Sequence, residues 1–174
     1  MNVVLGVTGS IAAYKACELV RLLVKRGDDV HVVMTEHARA FVTPLTFQTL
    51  SRNPVESDLF ADPQDWKPGH ISLAAAAALV VVAPATANIL AKMAHGIADD
   101  LLSSTLLATK APVVVAPAMN TGMWENPVTQ ANITALTARG VRVVQPGTGD
   151  LACGTEGAGR MAEPADILSA CCIS

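Results

Sequence analysis

Val113-Val114-Val115-Ala116 followed by Pro117-Ala118-Met119-Asn120-Thr121-Gly122-Met123-Trp124 decides how the chain is read. The first four residues are an apolar run of the kind a buried parallel strand shows. Glu125-Asn126-Pro127, directly afterwards, suits the N-cap and first turn of a helix. Between strand and helix lie an amide, two thioethers and an indole. Open α/β sheets bind ligands at that carboxyl end of a strand. For this segment alone, an ordinary βα loop with Met and Trp as core pieces is an equal alternative.

Outward from it, the same alternation repeats. Residues 3–7 read as a strand, 8–13 as a small-residue turn, and 14–25 as a helix ending at Gly27. Residues 29–35 make a second strand, and 36–41 begin another helical piece. Residues 52–69 hold Pro54, Pro63 and Pro68 with Asp58, Asp62 and Asp65, which reads as an exposed loop. The alanines at 74–78 suit a helix lying close against a neighbour, and 79–84 are a buried strand. Helical sequence over 90–108 breaks near Gly96 and restarts at Asp99-Asp100; a helix over 127–139 stops at Gly140. Residues 141–145 are the fifth strand. A glycine-rich segment, 147–159, then precedes a last helix over 164–171. Five strands alternating with helices predict a doubly wound parallel α/β sheet, one domain over residues 1–174.

At 174 residues, 51% apolar and 16% charged, the chain is rich in apolar side chains for a lone monomer. No apolar run approaches the roughly 18 to 20 residues a membrane helix needs. The excess therefore predicts a homo-oligomer rather than a membrane protein. Met1 leads straight into a strand, so no signal peptide is expected. Cys17, Cys153, Cys171 and Cys172 show neither metal-ligand nor secreted-framework spacing, and a reducing cytoplasm is expected. A net charge of -3 without a basic cluster argues against nucleic acid.

Several residues invite chemistry. Gly9 and Ser10, with Thr8 beside them, sit where backbone amides and hydroxyls can face a phosphate. The spacing of a dinucleotide fingerprint is missing, so a mononucleotide suits the turn better. Thr35 either lines a ring-binding crevice with Phe41, or caps a helix while Phe41 fills core. Thr86 and Asn88 mark another strand end. His70 is a surface histidine at a helix start, or an acid, base or carboxylate partner. His31, His37 and His95 read as structural or solvated, and Cys17, Cys171 and Cys172 as packing. Cys153 is an inert thiol, or a proton donor in a flap that folds over a ligand and off again.

Five blocks occur in order: Thr8-Gly9-Ser10-Ile11-Ala12-Ala13-Tyr14-Lys15; Gly69-His70-Ile71; Pro84-Ala85-Thr86-Ala87-Asn88; Pro117-Ala118-Met119-Asn120 with Met123; and Ala152-Cys153-Gly154-Thr155-Glu156-Gly157-Ala158-Gly159-Arg160-Met161. Together they resemble the homo-oligomeric flavin-containing Cys decarboxylases, above all the members acting in coenzyme A biosynthesis. The resemblance spans essentially the whole chain, and the fourth and fifth blocks are its specific ones.

That resemblance implies a flavodoxin-like fold with FMN at the strand ends. Its phosphate would lie on Gly9, Ser10 and Ile11, with Thr35, Thr86, Asn88 and Ala118 nearby. The implied substrate is phosphopantothenoylcysteine, contacted by Met119, Asn120, Met123, Cys153 and Gly154. His70, Asn120 and Cys153 would be catalytic: His70 beside the thiol and carboxylate, Asn120 holding the carboxylate, and Cys153 protonating the enethiol. No metal is implied. Trimers or multiples of trimers, with sites between subunits, would account for the apolar excess. Lys15 and Arg160 are candidates for the pantetheine phosphate. Asp99 stands where members often carry Asn. Many bacteria fuse a ligase to this domain; with the sequence ending at Ser174, the ligase is expected on a separate protein, or the fold is put to a different use. Rival readings are a peptidyl-cysteine decarboxylase of lantibiotic maturation, a flavin prenyltransferase, and a non-catalytic flavin-binding regulatory subunit.

Overall fold

In the computed structural model, which describes residues 1–59, 69–150, 154 and 156–172, the apolar runs become five parallel strands. They are β1 (Asn2–Val7), β2 (Asp29–Met34), β3 (Leu79–Ala85), β4 (Val113–Pro117) and β5 (Arg142–Val143), ordered β2-β1-β3-β4-β5. The runs are continuous rather than alternating because helices cover both faces. Val3, Leu5 and Val7 point toward α1 (Ala13–Arg26), α2 (Pro44–Ser51) and α8 (Pro164–Ala170), burying Leu19, Phe47 and Ile167 with them. Val4, Val80 and Val82 point the other way. There they meet α3 (Gly69–Ala76), α4 (Ala87–His95), α5 (Leu101–Ala108) and α7 (Pro127–Ala138), through Leu73, Ile89, Leu102 and Ile133. The doubly wound parallel sheet read from the sequence is the fold observed, and its strand order is the flavodoxin-like one.

Helix ends fall where the sequence signals put them. Gly27 (φ 95°) and Gly96 (φ 71°) take the left-handed conformation that closes α1 and α4. Asn126 Oδ1 accepts from Val128 N at 2.9 Å and Pro127 occupies the first turn of α7. Asp100 starts α5 with a capping box: Asp100 Oδ1 accepts from Ser103 N at 2.7 Å, and Ser103 Oγ accepts from Asp100 N at 3.0 Å.

Elsewhere the structure corrects the reading. The segment 52–69 is not all loop: Glu56 N donates to Val32 O at 3.0 Å, and Met34 N donates to Glu56 O at 2.9 Å. The outer edge of β2 is thereby partly paired. The glycine-rich segment contains an antiparallel hairpin of β6 (Gly147–Asp150) and β7 (Glu156–Arg160). Glycines carry no apolar alternation, so no strand period was available to read there. A short α6 (Thr121–Trp124) precedes α7, and β5 has two residues rather than five. Phe41 is 49% exposed and fills no core. In α3, Leu73 and Ala74 are buried, whereas Ala75 and Ala76, and Ala78 just after the helix, lie exposed. Cys171 is buried, its thiol pushed up to about 11 by desolvation, but Cys172 is exposed rather than packed.

Asp100 also ties α4 to α5, accepting from Lys92 Nζ at 2.9 Å. Partial burial alone would raise its pKa, but hydrogen bonds from Ser103 and Lys92 outweigh burial and hold it below the usual value. A depressed carboxylate contributes stability above its unfolded pKa of about 3.9 and loses it as pH falls further. Asparagine caps a helix about as well as aspartate, so Asp100→Asn isolates the charge. Urea midpoints should fall more steeply from pH 5 to pH 3 in the parent chain than in Asp100→Asn. Parallel slopes would show that the pair contributes no pH-dependent stability.

Candidate active site

The order β2-β1-β3 reverses direction between β1 and β3, and the chain leaves those two strands on opposite faces of the sheet. A crevice opens at such a point. Thr8, at the end of β1, is 2% exposed, and its Oγ1 donates to Pro84 O at 2.7 Å across a cis Ala83–Pro84 peptide. The same oxygen accepts from Thr86 N at 3.1 Å. Its proton is thus used in holding the two strand ends together, and Thr8 is a strap rather than a spare phosphate donor.

Beside the strap lies a cleft of about 500 Å³. Thr8 and Gly9 line it from β1, Thr35, Glu36 and His37 from β2, and Thr86, Ala87 and Asn88 from β3. Lys92, Asp99, Asp100 and Met123 complete its walls with Ile89. Gly9, Thr35, Thr86, Asn88 and Met123, five of the residues singled out in the sequence, are therefore brought together. Thr35 does cap the short 3-10 turn Glu36–Ala40, through Ala38 N at 3.4 Å, and it lines the cleft as well. A side chain at Gly9 would run into Cβ of His37, so that position keeps its glycine for close approach.

Ser10 and Ile11 form the turn next to the cleft without lining it. Ser10 Oγ accepts from Ala12 N at 3.3 Å, and Ile11 is 53% exposed. Ala118 is buried, with its N donating to Ala85 O at 3.0 Å. Asn120 caps α6, its Oδ1 accepting from Gly122 N at 2.8 Å, and its side chain is exposed. Met119 N donates to Gly159 O at 3.0 Å, which docks the β6–β7 hairpin onto the loop carrying Asn120. A side chain at Gly157 would fall on Thr121, and one at Gly159 (φ 126°) on the Met119 carbonyl. Those two glycines exist so that the hairpin can lie flat on this loop.

His70 is the second residue of α3 and is not among the cleft's lining residues. Its Nδ1 is buried with no hydrogen-bond partner among the described residues. Gly154 is exposed. Cys153 lies outside the described residues. Lys15 Nζ and Arg160 Nη2 each donate to Glu163 Oε1 at 2.9 Å, so both are engaged by one carboxylate. Among the described residues no cluster of metal ligands occurs, and no helix is long and apolar enough to cross a membrane.

The sequence reading missed Lys92 and Asp99 as cleft residues and dismissed His37. Lys92 Nζ donates to Asp99 Oδ1 at 2.6 Å and to Asp100 Oδ2 at 2.9 Å. Burial alone would lower the Lys92 pKa, but the two carboxylates hold it above its usual value. Asp99-Asp100 read as a helix start, which is correct for Asp100. Nothing in the spacing showed that the preceding helix would bring Lys92 back onto both.

The Flavoprotein family's sequence profile matches residues 1–173. The coenzyme A biosynthesis bifunctional protein CoaBC of Bacillus subtilis is 50% identical over 167 residues, covering 96% of this chain and 41% of that protein. Its Vibrio vulnificus counterpart is 47% identical over 170 residues, covering 98% and 42%. The chain thus spans about two fifths of the length of these relatives. A solved PPC decarboxylase mutant complexed with pantothenoylaminoethenethiol superimposes with a TM-score of 0.89 at 33% identity, covering 97% of this chain and 94% of that one. The FMN-dependent cysteine decarboxylase SpaF gives 0.83 at 31%, covering 99% and 98%. The chain belongs to the Flavoprotein family.

Proposed function

We propose that this protein is an FMN-dependent decarboxylase that converts 4'-phosphopantothenoylcysteine to 4'-phosphopantetheine in coenzyme A biosynthesis. The observation that carries this is the joining of a mononucleotide-sized cleft at the β1/β3 switch point to a loop, docked under a hairpin, that presents Asn120. Near full-length likeness to a PPC decarboxylase holding an enethiol compound supports the substrate class. The cleft suits FMN: hydroxyls of Thr35 and Thr86 and the amide of Asn88 border it, and Gly9 lets a ligand approach the backbone.

Bound FMN supplies a hydride acceptor and, later in the same turnover, a hydride donor. Everything else falls to the chain. Asn120 holds the substrate carboxylate in place while the cysteine thiol becomes a thioaldehyde. Carbon dioxide then departs, because the electron pair of the broken C–C bond is taken up as an enethiolate. His70 faces the thiol and carboxylate, and Cys153 delivers the proton that accompanies hydride return. The cycle ends without net oxidation. Free thiols at Cys17, Cys171 and Cys172 fit a cytoplasmic setting.

His70 is the second residue of α3 and lies outside the lining of its own chain's cleft, so we place it in the cleft of a neighbouring subunit. Two exposed apolar areas match such an arrangement. Ile11, Tyr14, Phe41 and Leu45 belong to the α1–α2 side, while Ile71 and Leu107 belong to the α3–α5 side. Two different patches join copies head to tail, and where the rotation between copies closes they form a ring such as a trimer.

Mass spectrometry should detect phosphopantetheine after incubation with phosphopantothenoylcysteine; unchanged substrate on flavin-loaded protein, with turnover of a cysteine-ending peptide, would select the peptidyl reading. Asn120→Asp keeps the α6 cap but sets a negative charge against the substrate carboxylate. It should retain FMN and lose at least about a hundredfold in kcat/KM, a scale common for lost transition-state contacts. His70→Asn should also retain flavin and lose turnover. Co-expressing His70→Asn with Asn120→Asp should restore part of the activity, because mixed rings contain sites with both native residues. No recovery would place both residues in one subunit's site.

A further inference from the structure

We propose that Asp99 is a positioning residue that sets the charge of the cleft wall and so holds the reduction potential of bound flavin low. The inference rests on the reading that this cleft holds the flavin. Among the described lining residues the charged side chains are Glu36, Lys92, Asp99 and Asp100, with His37 beside them. Lys92 is the lone ammonium or guanidinium in that set, and two carboxylates occupy it at 2.6 and 2.9 Å.

The two carboxylates are not equivalent. Asp100 is required by the fold: it caps α5, receives both Ser103 N and Ser103 Oγ, and neutralises Lys92. Asp99 has no part in the cap. Its side chain is 59% exposed, and besides Lys92 it accepts a long contact from Ser103 Oγ at 3.4 Å. One carboxylate is enough to neutralise one ammonium, so Asp99 leaves the cluster with a surplus negative charge facing the cleft. The cap of α5 and the neutralisation of Lys92 are complete without that surplus.

The surplus has a direct effect on a flavin. Two-electron reduction takes up a hydride equivalent and leaves negative charge on the ring unless a further proton is bound. A nearby carboxylate disfavours that form relative to the oxidised one. The same charge repels the phosphate dianion, so oxidised FMN is also held less tightly. In a redox-neutral decarboxylation the hydride taken from the substrate's Cβ must be given back to the decarboxylated enethiol. A lower potential favours the return and makes it less common for the enethiol to leave with the flavin still reduced.

The test is the flavin potential of the FMN-loaded protein, read against redox dyes, together with an FMN titration. Asp99→Asn should favour the reduced flavin by about tenfold, the effect of a unit charge about 10 Å away at an effective permittivity of about 25. For a two-electron couple this is a rise of about 30 mV. Oxidised FMN should bind several-fold more tightly, and Asp99→Glu should restore both values. An unchanged potential in Asp99→Asn, or the same shift in Asp99→Glu, overturns the proposal, since a residue that merely anchors the loop would alter stability and leave the potential alone. Gly9→Val separates the underlying reading: a folded Gly9→Val protein that binds FMN normally would remove the flavin from this cleft. Loss of FMN in Gly9→Val with an unshifted potential in Asp99→Asn would sink the Asp99 proposal alone.

Discussion

The Thr8 hydroxyl holds the site open. Strands β1 and β3 are neighbours whose chains depart to opposite faces of the sheet, and nothing in a parallel ladder fixes the ends beyond the last rung. Thr8 Oγ1 donates to the Pro84 carbonyl and accepts from Thr86 N, closing that gap with a fully buried hydroxyl. Each polar atom in the strap is satisfied, so it costs no uncompensated desolvation. Because the ends are pinned, Gly9 on one side and Thr86 and Asn88 on the other face each other across a cleft of defined width.

Much of this was legible because each signal is local. Apolar runs of strand length, Gly27 and Gly96 at helix ends, and Asn126-Pro127 at a helix start each act over a few residues, and the five-strand sheet follows from them. The cleft residues at strand ends were legible for the same reason: in a doubly wound sheet, strand ends are where ligands bind. What escaped the sequence depends on distant parts meeting. The β6–β7 hairpin is built of glycines whose reason is the surface of Met119 and Thr121, more than thirty positions earlier. Glu56 reads as a loop residue until β2 offers it an open edge. Lys92 reads as the solvated side of a helix until the turn after Gly96 brings Asp99 and Asp100 back to it.

The loop after β4 shows how one residue is given two tasks. Asn120 Oδ1 caps α6 through Gly122 N, which fixes the side chain at the loop's crest instead of leaving it to rotate. The hairpin, held by Met119 N and Gly159 O, packs on the same loop. A group meant to grip a substrate carboxylate gains from both constraints, because the entropy of ordering it has been lost during folding and not at binding. The proposed carboxylate contact would therefore use a side chain already oriented by the backbone.

His70 poses the opposite case. A histidine at the start of a helix, with a buried Nδ1 that finds no partner among the described residues, is costly to a lone chain. It also lies on the α3 side of the sheet, outside the lining of its own cleft. The second feature becomes intelligible if a second copy of the chain brings its cleft to this histidine. The apolar surfaces around Ile71 and Leu107 on that side, and around Tyr14 and Leu45 on the other, then have a shared purpose. They are two different patches, as a head-to-tail contact between copies requires. On that reading the oligomer is a condition of the chemistry: one copy supplies the flavin cleft and the carboxylate grip, and assembly brings the histidine of another copy to them.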